Sequence, residues 1–129
     1  MAIRVVQLGS PRAVHEGPRI GTVRRPPRGV PKHDFARRDF YDVWLPNLAP
    51  SDTLLTAARL ARSEAAWRTF TRRYRAEMKK PDAAHLLDTL AALSHVASFS
   101  VGCYCQHEAR CHRSVLRQLL VERGAAVSA

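Results

Sequence analysis

At 129 residues, the chain has the length of one domain with its own core, which needs neither disulfides nor metal to fold. No stretch approaches the roughly eighteen consecutive apolar residues of a membrane helix, and MAIRVVQLGSPR opens with too short an apolar run for a secretory signal. Three cysteines beside a net charge of +10, two of them one residue apart, do not make a secreted disulfide framework, so a reduced, cytoplasmic protein is expected.

In chain order, 3-IRVVQL-8 is apolar and β-branched and runs into Gly9-Ser10-Pro11, which predicts a strand and a turn. The stretch 20-IGTV-23 predicts a second, weaker strand. In 24-RRPPRGVPK-32, Pro26, Pro27 and Pro31 lack amide donors, so an arginine-rich loop with a stiff backbone follows. Asp34 is a candidate cap for a short helix over 35–40, and Trp44 and Leu45 are expected to be buried. Ser51 caps, and Asp52 opens, a helix running to about Arg62. Ser63 caps a second, on which Trp67, Phe70, Tyr74 and Met78 share a core-facing stripe while Arg68, Arg72, Arg73 and Arg75 point largely elsewhere. Pro81-Asp82 starts a third, with Leu86, Leu87, Leu90 and Leu93 as its apolar face. Residues 96-VASFSVGCY-104 read as a buried strand. His112 or Ser114 begins the last helix, with Val115, Leu116, Leu119 and Leu120 inward and Gly124 as its stop. The domain is read as 1–124, and the tail 125–129 is expected to fray.

This order, with a long helical excursion before the last strand, suits a right-handed crossover. It predicts a small layered α/β domain with a short, largely parallel sheet flanked by four to five helices. Ligands of such sheets sit outside the carboxyl ends of the strands. That rim would gather the turn holding Ser10 and Arg12, the loop holding Arg25, Arg28 and Gly29, and the cysteine-rich loop.

The stretch 102-GCYCQHEARCHRS-114 carries all three cysteines and admits three readings. Cys103, Cys105, Cys111 and His112 are the right types for zinc. However, the first pair is too tightly spaced for a knuckle, and adjacency makes joint ligation by Cys111 and His112 awkward. A phosphatase-like loop needs arginine six residues after its cysteine, and position six after Cys105 is Cys111. Cys111 remains a candidate nucleophile at a helix N-terminus. The third reading is an anion pocket. It uses the amides at 111–114, the Arg113 fork, the Ser114 hydroxyl and His112 as acid or base, and it asks for no unusual geometry.

The run 101-VGCYCQHEARCHRSVLRQLL-120 resembles the Cys-His-Arg-Ser segment of the bacterial YeaO-like family, domain of unknown function number 488. Arg25, Arg28 and Gly29 fit its Arg-x-x-Pro-Arg-Gly loop, and 44-WLPNLAPSDTLL-55 and 67-WRTFTRRYRAEM-78 are similar to its next two segments. The resemblance implies a compact α/β fold and no transferable activity. It argues against a metal cage, because some members lack a cysteine where Cys111 stands. The family's acid before that loop is Arg24 here, which leaves acid/base work to His112, Asp42 or Glu108.

The favoured expectation is a crevice for an anionic, phosphate-bearing, nucleotide-like small molecule, with no cofactor and no membrane contact. The alternatives are a basic nucleic-acid-binding module and a zinc-stabilised interaction domain. The charge invites a polyanion, yet arginines on solvated helix faces need no ligand.

Overall fold

The computed structural model describes residues 1–60 and 62–128. Four strands, β1 (Ile3–Gln7), β2 (Arg19–Gly21), β3 (Val43–Trp44) and β4 (Phe99–Cys103), form one parallel sheet in the order β1-β4-β2-β3. Four helices accompany it: α1 (Asp52–Leu60), α2 (Glu64–Met78), α3 (Pro81–Leu93) and α4 (His112–Glu122). The chain is thus a small α/β domain, as its element order predicts. The α1 end expected near Arg62 passes through position 61, outside the described residues. No helix among the described residues is long and apolar enough to cross a membrane.

Register explains the two faces of the sheet. Ile3 aligns with Phe99, and Val5 and Ile20 align with Val101. Side chains alternate along a strand, so these share one face. The helices bury their apolar stripes there: Leu54, Phe70, Tyr74, Met78, Leu87, Leu90, Val115, Leu116, Leu119 and Leu120. The alternate rows are Arg4, Ser100 and Arg19, then Val6, Gly102 and Gly21. Here the two glycines let other groups approach: a Cβ on Gly21 would stand 2.4 Å from the Tyr41 ring, and one on Gly102 2.6 Å from the Val6 carbonyl oxygen.

That second face carries a buried ion pair. Arg19 is fully buried and Glu16 nearly so. Arg19 donates to Glu16 from Nε at 2.8 Å and from Nη2 at 3.0 Å, and to the carbonyls of Ser10 and Asp39 from Nη1. Glu16 also accepts from the Ser100 hydroxyl at 2.6 Å. Burial alone would raise the Glu16 pKa, but these donors outweigh it and hold the carboxyl at about 2.

Several expectations are corrected. No helix forms over 35–40. A 3-10 turn at Lys32–Asp34 leads into further turns, where Asp39 takes φ +64° and the Asp34 carboxylate receives Arg37. Trp44 is not buried. It lies on the short edge strand β3, 43% exposed, with its indole N–H donating to the Val23 carbonyl. Leu45 is half-buried. Leu93, the last residue of α3, is exposed. The tail does not fray through 128. Ile3 N–H donates to the Ala126 carbonyl and Ser128 N–H to the Ile3 carbonyl, both at 2.8 Å. An edge strand has unpaired groups on its outer side, and the tail satisfies them. Ala129 lies outside the described residues.

Candidate functional site

At the carboxyl end of β4, the chain turns through Tyr104 and Cys105 and re-enters helix at α4. Cys111 is extended (φ −122°, ψ 149°) and caps α4 with its sulfur, which accepts the Arg113 amide. Between this loop, the start of the Arg-Pro loop and α1 lies a crevice of about 380 Å³. Val23, Pro50, Leu55, Ala58 and Tyr104 give it an apolar wall; Arg24, Arg25, Arg59 and Arg110 bring guanidinium groups; Cys103, Cys105 and His112 also line it. The Tyr104 hydroxyl donates to the Arg25 carbonyl at 2.9 Å, which ties the two loops together. Two of the three loops expected at this rim, the Arg-Pro loop and the cysteine-rich loop, therefore meet.

The cations differ in their commitments. Arg24 is spent on the carbonyls of Ala49 and Pro50. Arg25 pairs with Asp52 at 2.9 Å, both well exposed. Arg110 pairs with Glu64 and lies over the Trp67 ring at 5.6 Å. Arg59 has no ion pair among the described residues.

Below them sits the sulfur cluster. The Cys103 and Cys111 sulfurs are 2.6 Å apart, both buried and free, while Cys105 is exposed. Hydrogen bonding to Cys103 and Cys111 lowers the Cys105 thiol pKa, while the Cys103 and Cys111 pKa values are raised. His112 is buried. A carbonyl only accepts, so Nε2 carries the proton and donates to the Thr22 carbonyl at 2.8 Å. Nδ1 is then a lone pair, 3.8 Å from the Cys111 sulfur. Burial above all pushes the His112 pKa down to about 4, so the ring is neutral at physiological pH.

A family model described as the active DUF488-N3 subclade, DUF488-N3a, matches residues 3–124. The chain belongs to this family. The match spans every strand and helix of this DUF488 chain, in agreement with the resemblance read from the Arg-Pro and Cys-His-Arg-Ser segments. No curated protein and no solved structure matches it.

The other residues singled out in the sequence are distributed differently. Arg28 lines a neighbouring hollow with Arg25, Asp52 and Arg59, and Gly29 is an exposed turn residue at φ +74°. Ser10 and Arg12 do not line the crevice; Ser10 bonds back to the Gln7 carbonyl and Arg12 holds Asp39 and Asp42. Asp42 is thereby structural, and Glu108 is bound by Arg117. The amides at 111–114 do not greet an anion as expected. Those of Cys111, Arg113 and Ser114 already bond the Glu108 carbonyl, the Cys111 sulfur and the Cys111 carbonyl. Arg113 is buried, with Nη2 on the Cys105 carbonyl at 2.8 Å. Ser114 faces a groove between α2 and α4. Arg59 and Arg110 were the lining cations that sequence reasoning missed; the spacing of Leu55, Ala58 and Arg59, one turn apart on one flank of α1, was the available signal.

Proposed function

We propose that the crevice binds an anionic small molecule with a phosphate group and a flat apolar part, nucleotide-like in shape. One observation supports this reading: Arg25, Arg59 and Arg110 line one half-open crevice together with the apolar side chains of Val23, Leu55 and Tyr104. Guanidinium forks suit phosphate. The pairs that now hold Arg25 and Arg110 are exposed, and such pairs are worth about 0–1 kcal/mol, so a phosphate replaces their carboxylates at small cost. Binding, rather than proton transfer by His112, is what the geometry favours, because Nε2 is committed to Thr22.

Thermal unfolding with adenosine monophosphate and with inorganic phosphate tests this. At ten times its Kd a ligand adds about 1.4 kcal/mol, or about 5 °C for a chain of this size. The monophosphate is expected to raise the wild-type Tm, and Arg59→Ala combined with Arg110→Ala is expected to abolish that rise while the protein stays folded. A rise of the same size in the double variant removes the proposal.

A second reading rests on a different surface. Arg68, Arg72, Arg75 and Lys79 line one groove of about 560 Å³ between α2 and α4, as a nucleic-acid backbone would require. Binding there falls steeply with salt and responds to Arg68→Ala and Arg72→Ala; a flat salt dependence excludes it.

A further inference from the structure

We propose that Cys103, Cys105, Cys111 and His112 form a binding site for zinc or a divalent cation of its class, at the floor of the crevice and independent of what the crevice binds above it. The adjacency of Cys111 and His112, which in the sequence looks prohibitive, is resolved by the helix start. Cys111 is extended and His112 is helical, so their ligand atoms turn toward each other.

Four observations converge. First, the two buried sulfurs and His112 Nδ1 lie within 4.8 Å of one another. Ligands about 2.3 Å (S) and 2.0 Å (N) from a tetrahedral ion stand about 3.5–3.8 Å apart, and the Cys111 sulfur to His112 Nδ1 separation is 3.8 Å. The 2.6 Å contact between the sulfurs would open by about 1 Å around a cation of this size. Second, the proton on Nε2 is held by a backbone carbonyl. This outer contact fixes metal-binding histidines and leaves the other nitrogen free. Third, Cys103 and Cys111 each accept a backbone N–H from two residues on, Cys105 at 3.4 Å and Arg113 at 3.5 Å. Such outer donors hold the two sulfurs in place.

The fourth observation is one of charge. Arg113 is 4% exposed, bonds one carbonyl, and among the described residues its Nε has no hydrogen-bond partner. Glu108, whose carboxyl feels its field, is already bound by Arg117. A buried cation without an anion is costly. Three thiolates and a neutral imidazole around a divalent cation sum to one negative charge, which is the counter-charge Arg113 lacks. Cys105, exposed on the crevice side and outside that 4.8 Å group, would close on the ion as the fourth ligand.

The full-length, reduced protein titrated anaerobically with cobalt(II) tests the site. One equivalent should give the intense visible bands of tetrahedral cobalt with thiolate charge transfer, and equimolar zinc should displace it. Cys105→Ser, an exposed change that spares the fold, should keep the tetrahedral bands and lose about one third of the charge-transfer intensity, as three thiolates become two. Cys111→Ser, checked for folding by circular dichroism, should abolish the bands. Absence of those bands in the wild type, or their persistence in Cys103→Ser and Cys111→Ser, overturns the proposal. A mass lower by two hydrogens in freshly purified protein, with Cys103 and Cys111 linked and no cobalt taken up, overturns it too. Arg59→Ala must leave the cobalt spectrum unchanged, so failure here and failure of anion binding are read separately.

Discussion

Glu16→Gln is expected to cost the fold about 3–5 kcal/mol, the usual result of leaving one partner of a buried ion pair uncompensated. Arg19 keeps its charge at zero exposure, and the Ser100 hydroxyl loses its carboxylate acceptor. The effect is larger than for an isolated pair because Arg19 also holds the carbonyls of Ser10 and Asp39. It therefore joins the turn after β1, the 39–42 segment and the start of β2. Urea unfolding of wild type and variant measures the loss. The sign of the pH dependence follows from the same cluster. The folded Glu16 pKa of about 2 lies below the ordinary 4.5, so its contribution is complete above pH 4.5 and is lost as pH falls toward 2. Over that range about 3 kcal/mol of the wild-type stability disappears through this carboxyl. Other carboxylates lose stability in both proteins, so the test is the difference between wild type and Glu16→Gln. That difference should narrow as the pH drops, and a constant gap would show that the pairing is not what stabilises the folded state.

The second large effect is expected at Gly17→Ala, with a loss of at least about 3 kcal/mol. Gly17 sits at φ +81°, where L-residues are strained, and a Cβ there would stand 1.9 Å from the Ser98 carbonyl oxygen. That contact sets a Cβ fixed by the main chain against a backbone oxygen, so neither side can yield by a rotamer change. Gly29→Ala separates strain from collision. Gly29 has φ +74° and nothing within 4 Å of its would-be Cβ, so only the conformational cost of about 1–2 kcal/mol remains. Differential scanning calorimetry of both variants checks the contrast. Similar losses at the two positions would mean that the approach of Gly17 to Ser98 is not a tight one.

The fold was legible where burial and periodicity agree. The run from Phe99 to Cys103 is continuously buried, which is why it reads as strand without alternation. Ser63 caps α2 as its type predicts, accepting the Ala66 amide. Phe70, Tyr74 and Met78 repeat on one helical face and are all core. What escaped depended on partners distant in sequence. β3 is two residues long and exists because Ile20 and Gly21 pair with it. The tail is ordered because β1 has an open edge, which no local feature of 125–128 announces.

The same distinction holds at the candidate site. The meeting of the Arg-Pro loop with the cysteine-rich loop followed from parallel topology alone. The choice among arginines did not, because it depends on helix rotation and on local acids. Arg113 heads the last helix and looks like a ligand fork, yet the turn of α4 carries it inward to the Cys105 carbonyl. Arg12 has the right position in the chain and is consumed by Asp39 and Asp42. Cys111 has the helix N-terminus, while Cys105 has the exposure.

Crystals grown with a brominated adenosine monophosphate test the central claim most directly. The phosphate is expected between Arg59 and Arg110, with the bromine anomalous peak on the wall of Val23, Leu55 and Tyr104. A phosphate seated instead along Arg68 and Arg72, or a crevice without bound nucleotide at saturating concentration, would contradict it.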